Sequence, residues 1–324
     1  MESVRIGFIG CGGNARGHMR RLGGLEGVQV VAVADVVAEA AEAAAQITGG
    51  RPYTDYRRML DEERLDAVYV SIPVFAHGQI ELDLIERNLP FFVEKPVALD
   101  METARRIEAA VAKAGLLTCV GYQLRYLPHA RYAREWLAGR KISMITGNYW
   151  CGSGRGTGWH VHMEKSGGQL VEQATHTLDL FRYFGGEVEE VFSYQANRVL
   201  THTAAPDVYA VALRFASGAI GSLTTVWHGD PKDWSEANRV RLFYDEYRLA
   251  WSVREVTLSP ADPAFTPPAE PGPSIDEVFV DAVRTGDRSG ILTPYEEGVR
   301  SLAISLAANE SARTGKPVRI ADLG

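Results

Sequence analysis

The first 35 residues constrain the fold of this 324-residue chain more than any other stretch. An apolar run, Val4 to Ile9, leads into a glycine-rich break and then into Arg16 to Leu22, which can be helical. A second apolar run ends at Asp35. The break itself consists of Gly10, Cys11, Gly12, Gly13, Asn14 and Ala15. This order predicts a strand, a tight turn, a helix and a second strand parallel to the first.

The glycine-rich break has the spacing of a dinucleotide-binding turn. Gly10 allows the tight turn, Gly12 lets the backbone approach a pyrophosphate, and Ala15 lets the helix pack closely on the strand. The N–H groups and the positive dipole end of the helix then face the phosphates. We interpret Cys11 as a small residue in the turn. The flanking strand and helix, with an acid at about the expected spacing of roughly 20 residues, favour dinucleotide binding.

Asp35 distinguishes between two dinucleotides. At the tip of the second strand its carboxylate can accept hydrogen bonds from both ribose hydroxyls of an adenosine, whereas it would repel a 2′-phosphate. We therefore expect NAD rather than NADP as the cofactor.

The composition excludes several classes of partner. Hydrophobic residues make up 46% and charged residues 23% of the chain, as in an ordinary soluble protein, and the net charge of −7 offers no basic surface for nucleic acid or an acidic membrane. The three cysteines form no C-x-x-C pair, which fits a reducing cytoplasm. With no export signal or apolar run of spanning length in the sequence, we expect a cytoplasmic protein.

Two domains are expected from the length and from a change of rhythm near residue 121. Up to that point strands and helices alternate, which predicts a doubly wound parallel sheet in a dinucleotide-binding domain, residues 1–121. Residues 122–324 carry a helix at 168–184 and then successive strand-like runs, which predict an α+β domain on an open, mostly antiparallel sheet. The proline-rich stretch 259–274 is expected to be an extended connector, and the last helix could pack back on the first domain.

Ligands of open parallel sheets bind outside the carboxyl ends of the strands, so the residues that end the strands are candidates. One predicted strand ends at Ser71-Ile72-Pro73, with His77 shortly after, and another ends at Glu94-Lys95-Pro96. Lys95 would then lie beside the cofactor. The alternative is a surface lysine paired with a nearby acid.

The segment Gly168 to Asp179 is the second candidate site. At about 100° per residue, Glu172, His176 and Asp179 share one helix face, opposite an apolar one. An alternative is a solvated face on which Glu172 and His176 form an ordinary i, i+4 pair. The sequence fixes no third ligand beside these two, so we predict no metal site.

The chain resembles the Gfo/Idh/MocA oxidoreductases over essentially its whole length. The resemblance lies in Gly7 to Gly12, Asp35, Pro73 with His77, Glu94-Lys95-Pro96, Gly121-Tyr122-Gln123-Leu124-Arg125-Tyr126, Gly167 to Asp179 and Ser311 to Gly315. It implies a catalytic lysine at Lys95 and a catalytic histidine at His176. The family's usual aspartate is replaced by Glu172, whose charge is the same and whose reach differs.

The resemblance implies oxidation of a secondary alcohol on a sugar, cyclitol or related polyol, with hydride passing to the nicotinamide. His176 is the candidate base, Glu172 orients it and Lys95 favours the alkoxide; which of His176 and Lys95 moves the proton stays open. Cofactor contacts are expected from Gly10, Cys11, Gly12, Gly13, Asn14, Ala15, Asp35, Ser71, Ile72, Pro73, His77, Glu94, Lys95 and Gln123. Substrate contacts are expected from Gln123, Arg125, Arg155, Trp159, His160, His162, Glu172 and His176.

Alternatives remain for the loop and for the activity. The loop 151–165 could instead be a surface segment or a subunit contact. The family also resembles glycosidases that use NAD transiently, and co-regulators that bind the dinucleotide without turnover. The resemblance also implies a homo-oligomer, a dimer or a tetramer, in which the open sheets pair.

Overall fold

A computed structural model describes residues 3–229 and 232–323. The chain forms two compact units. The first consists of Met1–Ala98, Thr103–Gly121 and Pro273–Val299, and the second of Leu99–Glu102, Tyr122–Gly272 and Arg300–Gly324.

The first unit contains a six-stranded, fully parallel sheet in the order β3-β2-β1-β4-β5-β6. Its strands are β1 (Val4–Ile9), β2 (Val28–Ala34), β3 (Arg51–Tyr53), β4 (Ala67–Val70), β5 (Phe91–Val93) and β6 (Thr118–Val120). The helices between them are α1 (Gly13–Leu22), α2 (Ala38–Thr48), α3 (Tyr56–Glu62), α4 (Gln79–Glu86) and α5 (Met101–Ala114). The strand order with β1 at the reversal point is that of a dinucleotide-binding sheet, so the predicted fold class is confirmed for this unit.

Local sequence signals account for most of these boundaries. Asp55 accepts a hydrogen bond from the backbone of Arg57 and so caps α3, and Gly49 ends α2 in the left-handed conformation. After β4 the chain does not enter an α-helix at once. A 3₁₀ turn at Val74–Ala76 comes first, and α4 begins only after Gly78, whose φ is +132°.

The first unit also takes in residues 273–299, whereas the sequence predicts a second domain that contains everything after residue 121. The reason is a helix that the sequence analysis did not predict, α11 (Ile275–Thr285). Ser274 and Glu277 form a capping box at its start, and it buries Ile275, Phe279 and Val280. The preceding stretch, 260–274, contains no helix or strand, as expected for a connector.

The second unit is built on an eight-stranded sheet in the order β13-β12-β11-β7-β10-β9-β8-β14. The strands are β7 (Ile142–Trp150), β8 (Val188–Ala196), β9 (Val208–Phe215), β10 (Ile220–Val226), β11 (Asn238–Tyr244), β12 (Tyr247–Ser252), β13 (Val256–Ser259) and β14 (Val318–Arg319). Among the described residues, the strand pairings of this sheet are antiparallel except for that of β7 with β10. The predicted open, mostly antiparallel sheet is therefore confirmed.

The central strand β7 escaped the sequence analysis because its polar and small residues break the alternation that marks a half-buried strand. Gly147 lies at its middle, where an added Cβ would approach the ring of Phe181 to 2.7 Å. Strands β13 and β14 were also not predicted; both are short.

The helices of the second unit are α6 (Pro128–Trp136), α7 (Met163–Ser166), α8 (Gly168–Glu172), α9 (Thr175–Gly185), α10 (Trp234–Ala237) and the larger part of α12 (Tyr295–Thr314). Leu178 and Phe181 of α9 are fully buried in the core of this unit, with Ile145 and Val240 from the sheet. Among the residues described, no helix combines the length and the apolar character needed to cross a membrane.

Candidate active site

The turn after β1 is shaped by two kinds of glycine. Gly10 has a φ of +90°, and a Cβ there would overlap the backbone carbonyl of Ser71 at the end of β4. Gly12 and Gly13 differ, because a Cβ added to either meets no atom within 4 Å. The space above the start of α1 is thus open, because neither glycine carries a side chain that would extend into it.

The N-terminus of α1 has no side-chain cap. The first N–H groups of the helix therefore remain available to an anion, with the positive end of the dipole behind them. Ala15, in the third position of the motif, is fully buried. Burial raises the pKa of the Cys11 thiol to about 12, so this buried residue stays a neutral thiol, which agrees with its interpretation as a small turn residue.

Asp35 follows β2 directly, and its carboxylate is oriented by the backbone. The amide of Cys11 donates to Oδ2 at 2.8 Å, and the amide of Val37 donates to Oδ1 at 2.9 Å. A carboxylate with two oxygens has further lone pairs for ribose hydroxyls. Next to it the side chain of Val36 is almost fully exposed.

The ends of β4 and β5 carry the other cofactor candidates. His77 is fixed by Glu81, whose Oε1 lies 2.6 Å from His77 Nδ1, and both side chains are buried. Glu81 also accepts from the backbone N–H of Gly78 at 2.7 Å, so it caps α4 while it orients His77. Glu81 was not among the predicted site residues, although its i, i+4 spacing from His77 was a usable signal.

In the Glu94-Lys95-Pro96 turn, the side chains of Glu94 and Lys95 have different surroundings. Lys95 is half-buried and precedes Pro96 through a cis peptide bond. Glu94 is buried and turns toward α1, where its Oε1 lies 2.8 Å from Nε2 of His18. Glu94 is therefore placed to position the chain around Lys95 and is engaged by the protein itself.

In the second unit the predicted helix 168–184 is broken, which corrects the sequence analysis. Helix α8 ends at Glu172, and α9 starts at Thr175 after Gln173, whose φ and ψ are −127° and −55°. Glu172 and His176 consequently do not lie one turn apart on a continuous helix.

Long-range contacts explain the break. The side-chain oxygen of Gln173 accepts hydrogen bonds from the Cys151 thiol and the Ser153 hydroxyl, each at 2.8 Å. Ser153 in turn accepts from the indole N–H of Trp227 at 2.9 Å. These contacts join residues about 20 to 74 positions apart, so no local pattern could have indicated them.

His176 stands in the first turn of α9, and its neighbours are held by the segment 122–126. The Tyr122 hydroxyl lies 2.8 Å from the hydroxyl of Thr175. The Tyr122 ring meets the His176 ring edge-on, with centroids 5.9 Å apart. Tyr122 was not among the predicted site residues, although it lies in the Gly121 to Tyr126 motif.

One turn further along α9, Asp179 is buried, although helical periodicity placed it on the face opposite the apolar one. Arg125 binds both carboxylate oxygens, with Nε 2.8 Å from Oδ2 and Nη2 2.7 Å from Oδ1. The hydroxyl of Ser301 donates to Oδ1 at 2.7 Å. Arg125, a predicted substrate contact, is thus committed to a buried, bidentate ion pair that fixes α9. Its neighbour Gln123 is exposed.

The loop 151–165 is more ordered than a bare surface segment. Two 3₁₀ turns, Ser153–Arg155 and Trp159–Val161, precede α7. Among the predicted substrate residues, Arg155 donates to the carbonyl of His228, and Nε2 of His160 lies 3.1 Å from the carbonyl of Ser153. Trp159 is partly exposed and His162 exposed, so these two keep surface for a ligand.

Two models of one protein family match the chain. The first, described as an oxidoreductase family with an NAD-binding Rossmann fold, matches residues 4–122, and the second, the family's C-terminal domain, matches residues 131–249. Between them they cover more than half of the chain. The chain belongs to the Gfo/Idh/MocA family.

Relatives of this Gfo/Idh/MocA chain include named dehydrogenases. The scyllo-inositol 2-dehydrogenase (NAD(+)) of Bacillus subtilis is 25% identical over 98% of this chain and 97% of its own length. The inositol 2-dehydrogenase of Rubrobacter xylanophilus is 26% identical over 69% of this chain and 65% of its own length. For several curated relatives the match spans only 39% to 66% of the relative's length.

A solved structure with the same fold is that of the WlbA dehydrogenase from Bordetella pertussis in complex with NADH and UDP-GlcNAcA. It is 25% identical, with a TM-score of 0.83, over 98% of this chain and 99% of that one.

The residues of this Gfo/Idh/MocA chain fit the NAD that the family binds. The uncapped helix start and the open space at Gly12 and Gly13 can take a pyrophosphate, and the oriented carboxylate of Asp35 can take the ribose. The residues that hold the site without being predicted are His18, Glu81, Tyr122, Gln173 and Thr175. Each acts on a predicted residue or its neighbour.

Proposed function

We propose that the protein is an NAD-dependent dehydrogenase that oxidises a secondary alcohol of a sugar, cyclitol or related polyol. The observation that carries this proposal is the uncapped start of α1 beside Asp35, in a chain whose two domains match an oxidoreductase family. Relatives named inositol dehydrogenases support the substrate class. When bound, NAD supplies the hydride acceptor at C4 of its nicotinamide.

The cofactor preference follows from charge. Asp35 is held by the amides of Cys11 and Val37, so its carboxylate cannot swing away to admit a 2′-phosphate without giving up two hydrogen bonds. NAD should therefore bind more tightly than NADP. Calorimetry with both dinucleotides tests this, and equal or tighter NADP binding refutes it.

The chemical step needs a group that accepts the hydroxyl proton and a cation that favours the developing alkoxide. We assign the proton acceptor to His176, whose place in the first turn of α9 is set by the Tyr122–Thr175 contact. We assign the cation to Lys95 at the end of β5. Glu172, at the end of α8, supplies the negative charge that stabilises an imidazolium; it does so across the break at Gln173.

Substrate recognition is assigned to three of the candidates. Gln123, Trp159 and His162 keep accessible surface, whereas Arg125 acts by positioning α9 through Asp179. Arg155 and His160 serve mainly to shape the loop, because their donors meet backbone carbonyls.

A panel of sugars, cyclitols and polyols with NAD, followed by NADH absorbance, tests the proposed reaction. Net NADH formation with a secondary alcohol supports it. Hydrolysis of glycosides without net NADH would instead identify a glycosidase that uses the dinucleotide transiently. Binding of NAD with no turnover of any alcohol or glycoside would identify a regulator.

We also propose a homo-oligomer, dimer or tetramer. The outer face of the second unit's sheet carries exposed apolar side chains, Tyr194 of β8 and Ile220 of β10 among them. An antiparallel sheet covered by helices on one face gains stability when its other face is also covered. Light scattering over a broad concentration range should give a mass above 35.5 kDa. A monomer mass throughout refutes the proposal.

A reducing compartment, the cytoplasm, suits the cysteines. Cys11, Cys119 and Cys151 are all buried free thiols. A fluorescent fusion in the native host should remain in the cytoplasm, and its export would overturn this assignment.

A further inference from the structure

His18 is a buried histidine in the first unit that the proposed reaction does not use. It lies on α1, one and a half turns after the open start of that helix, and is 5% exposed. Both ring nitrogens face carboxylates. Nδ1 lies 2.5 Å from Oδ1 of Asp276 on α11, and Nε2 lies 2.8 Å from Oε1 of Glu94 after β5.

The two carboxylate contacts together favour a charged ring, and Nδ1 also lies 3.0 Å from Nη2 of Arg21. A neutral imidazole has one N–H, so it can donate to only one of two carboxylates, whereas an imidazolium donates to both. The cluster is electrically balanced when His18 is charged, because Arg21 adds the second positive charge through Nε, 2.5 Å from Oδ2 of Asp276. Such a balance is what a buried group of charges requires.

The surroundings of His18 support this charge state. Burial alone lowers the pKa of His18, but its hydrogen bonds to Asp276 and Glu94 outweigh burial and raise the pKa to about 9. The fourth polar neighbour is Tyr69 of β4, whose ring centroid lies 5.5 Å from that of His18. Burial raises the pKa of Tyr69 well above its ordinary value, so this phenol stays neutral where His18 titrates.

The contacts of His18 join parts of the cofactor domain that are far apart in sequence. α1 presents its N-terminus to the phosphates, and Glu94 directly precedes Lys95. Gly121 leaves room for the Glu94 carboxylate, since a Cβ there would lie 3.0 Å from Oε2. The imidazolium of His18 is therefore a direct side-chain connection between α1, which begins at the phosphate-binding turn, and the turn that carries Lys95.

We propose that His18 is a positioning residue whose imidazolium locks α1 to Glu94, so that the cofactor domain binds NAD tightly only while His18 is protonated. The proposal rests on the NAD-binding function proposed above. Its sign follows from linkage: the folded-state pKa lies above the ordinary 6.5, so the lock is complete below pH 6.5 and is lost as the pH rises through about 9.

The first test uses the wild-type protein and needs no activity. NMR of the histidine ring nitrogens should show His18 titrating near pH 9. Calorimetry with NADH, which is stable in alkali, should show affinity falling about tenfold between pH 7.5 and 10, within the 5- to 150-fold range of site couplings. The Cys11 thiol does not interfere, because burial raises its pKa to about 12.

Variants separate the lock from a general effect of alkali. His18→Gln cannot become charged, so its NADH affinity should be lower at pH 7.5 and flat up to pH 10. Asp276→Asn removes one carboxylate and should shift the affinity loss to lower pH. The control is His129→Gln, a half-buried histidine of α6 that lies 2.9 Å from the Ser252 carbonyl; its affinity profile should match wild type.

The outcomes are distinct. Titration of His18 near pH 6.5, or wild-type NADH affinity that stays flat to pH 10, overturns the lock while leaving NAD binding intact. Failure of the wild type to bind NADH at every pH refutes the proposed function instead. If His18→Gln does not fold, the wild-type titration and binding profile still decide the question.

Discussion

The two units of the molecule place their functional residues by different means. In the first, Gly10, Asp35 and Lys95 each follow the end of a parallel strand, and the sheet brings the strand ends together. In the second, His176 and Glu172 flank a helix break that is held by residues of β7's following loop and of the 122–126 segment. A site at strand ends can be read from local sequence, whereas a site set by a break cannot.

The two units differ in the kind of contact that holds their functional residues in place. Strand ends are fixed by the backbone hydrogen bonds of the sheet, which any apolar sequence of the right length can form. The break at Gln173 depends on particular side chains, Cys151 and Ser153, at particular distances. Substitutions outside the chemistry should therefore disturb the second unit more readily than the first.

The largest effect is expected from the catalytic candidates, one from each unit. Lys95→Ala and His176→Ala should each lower kcat by roughly 10²- to 10⁴-fold, the range for a lost general acid or base, while NAD affinity changes little. Steady-state kinetics on the alcohol found in the substrate panel gives kcat, and calorimetry gives the affinity.

Lys113→Ala, an exposed lysine of α5, and His129→Gln are the matched controls and should retain wild-type kcat. If both catalytic variants kept near-normal kcat, Lys95 would be an ordinary surface lysine and His176 an ordinary helix residue.

The next effect concerns the buried ion pair of the second unit. Arg125→Met should reduce the free energy of unfolding by about 3–5 kcal/mol, because it leaves the Asp179 carboxylate buried without its bidentate partner. Urea denaturation followed by circular dichroism measures this. The double variant Arg125→Met with Asp179→Leu should recover much of the loss, since it removes the buried charge as well.

A different result would restore the role that the sequence suggested for Arg125. If Arg125→Met raised KM for the alcohol and left the free energy of unfolding unchanged, Arg125 would be a substrate contact and α9 would be held by other means.

The features that could be predicted from the sequence also differ between the two units. The glycine turn, Asp35 and Lys95 follow the ends of strands as the sequence predicts, because each is marked by residues within about 25 positions of one another. The helix break, β7 and α11 were missed. The signals for the break and for β7 lie in packing partners, Ser153 against Gln173 and Phe181 against Gly147, whereas α11 carries a local signal, the capping box of Ser274 and Glu277.

Two glycines of the first unit should respond in opposite ways. Gly10→Ala should destabilise the free protein by about 1–3 kcal/mol or more, because an L-residue at φ +90° is strained and its Cβ overlaps the Ser71 carbonyl. Gly12→Ala meets no atom within 4 Å, so it should leave stability nearly unchanged and weaken NAD binding. Thermal denaturation without ligand and calorimetry with NAD separate the two. Equal loss of stability in both variants would contradict the division.

The most specific test of the second unit is at Gln173, where only a small loss of stability is expected. Gln173→Ala removes the acceptor for Cys151 and Ser153, which costs about 1 kcal/mol for hydrogen bonds of this kind. Its effect on kcat should be larger than its effect on stability, because α8 and α9 are then free to join into the continuous helix that the periodicity of 168–184 favours. In that helix Glu172 and His176 would change their relative orientation, while the first unit, and with it NAD affinity, would be unaffected.

Cys151→Ser keeps a hydrogen-bond donor at the same place and should be close to wild type, so it is the matched control. If Gln173→Ala kept normal kcat and lost about 1 kcal/mol of stability, the backbone alone would maintain the helix break. The two units would then differ in how they fold but not in how their sites depend on side-chain contacts.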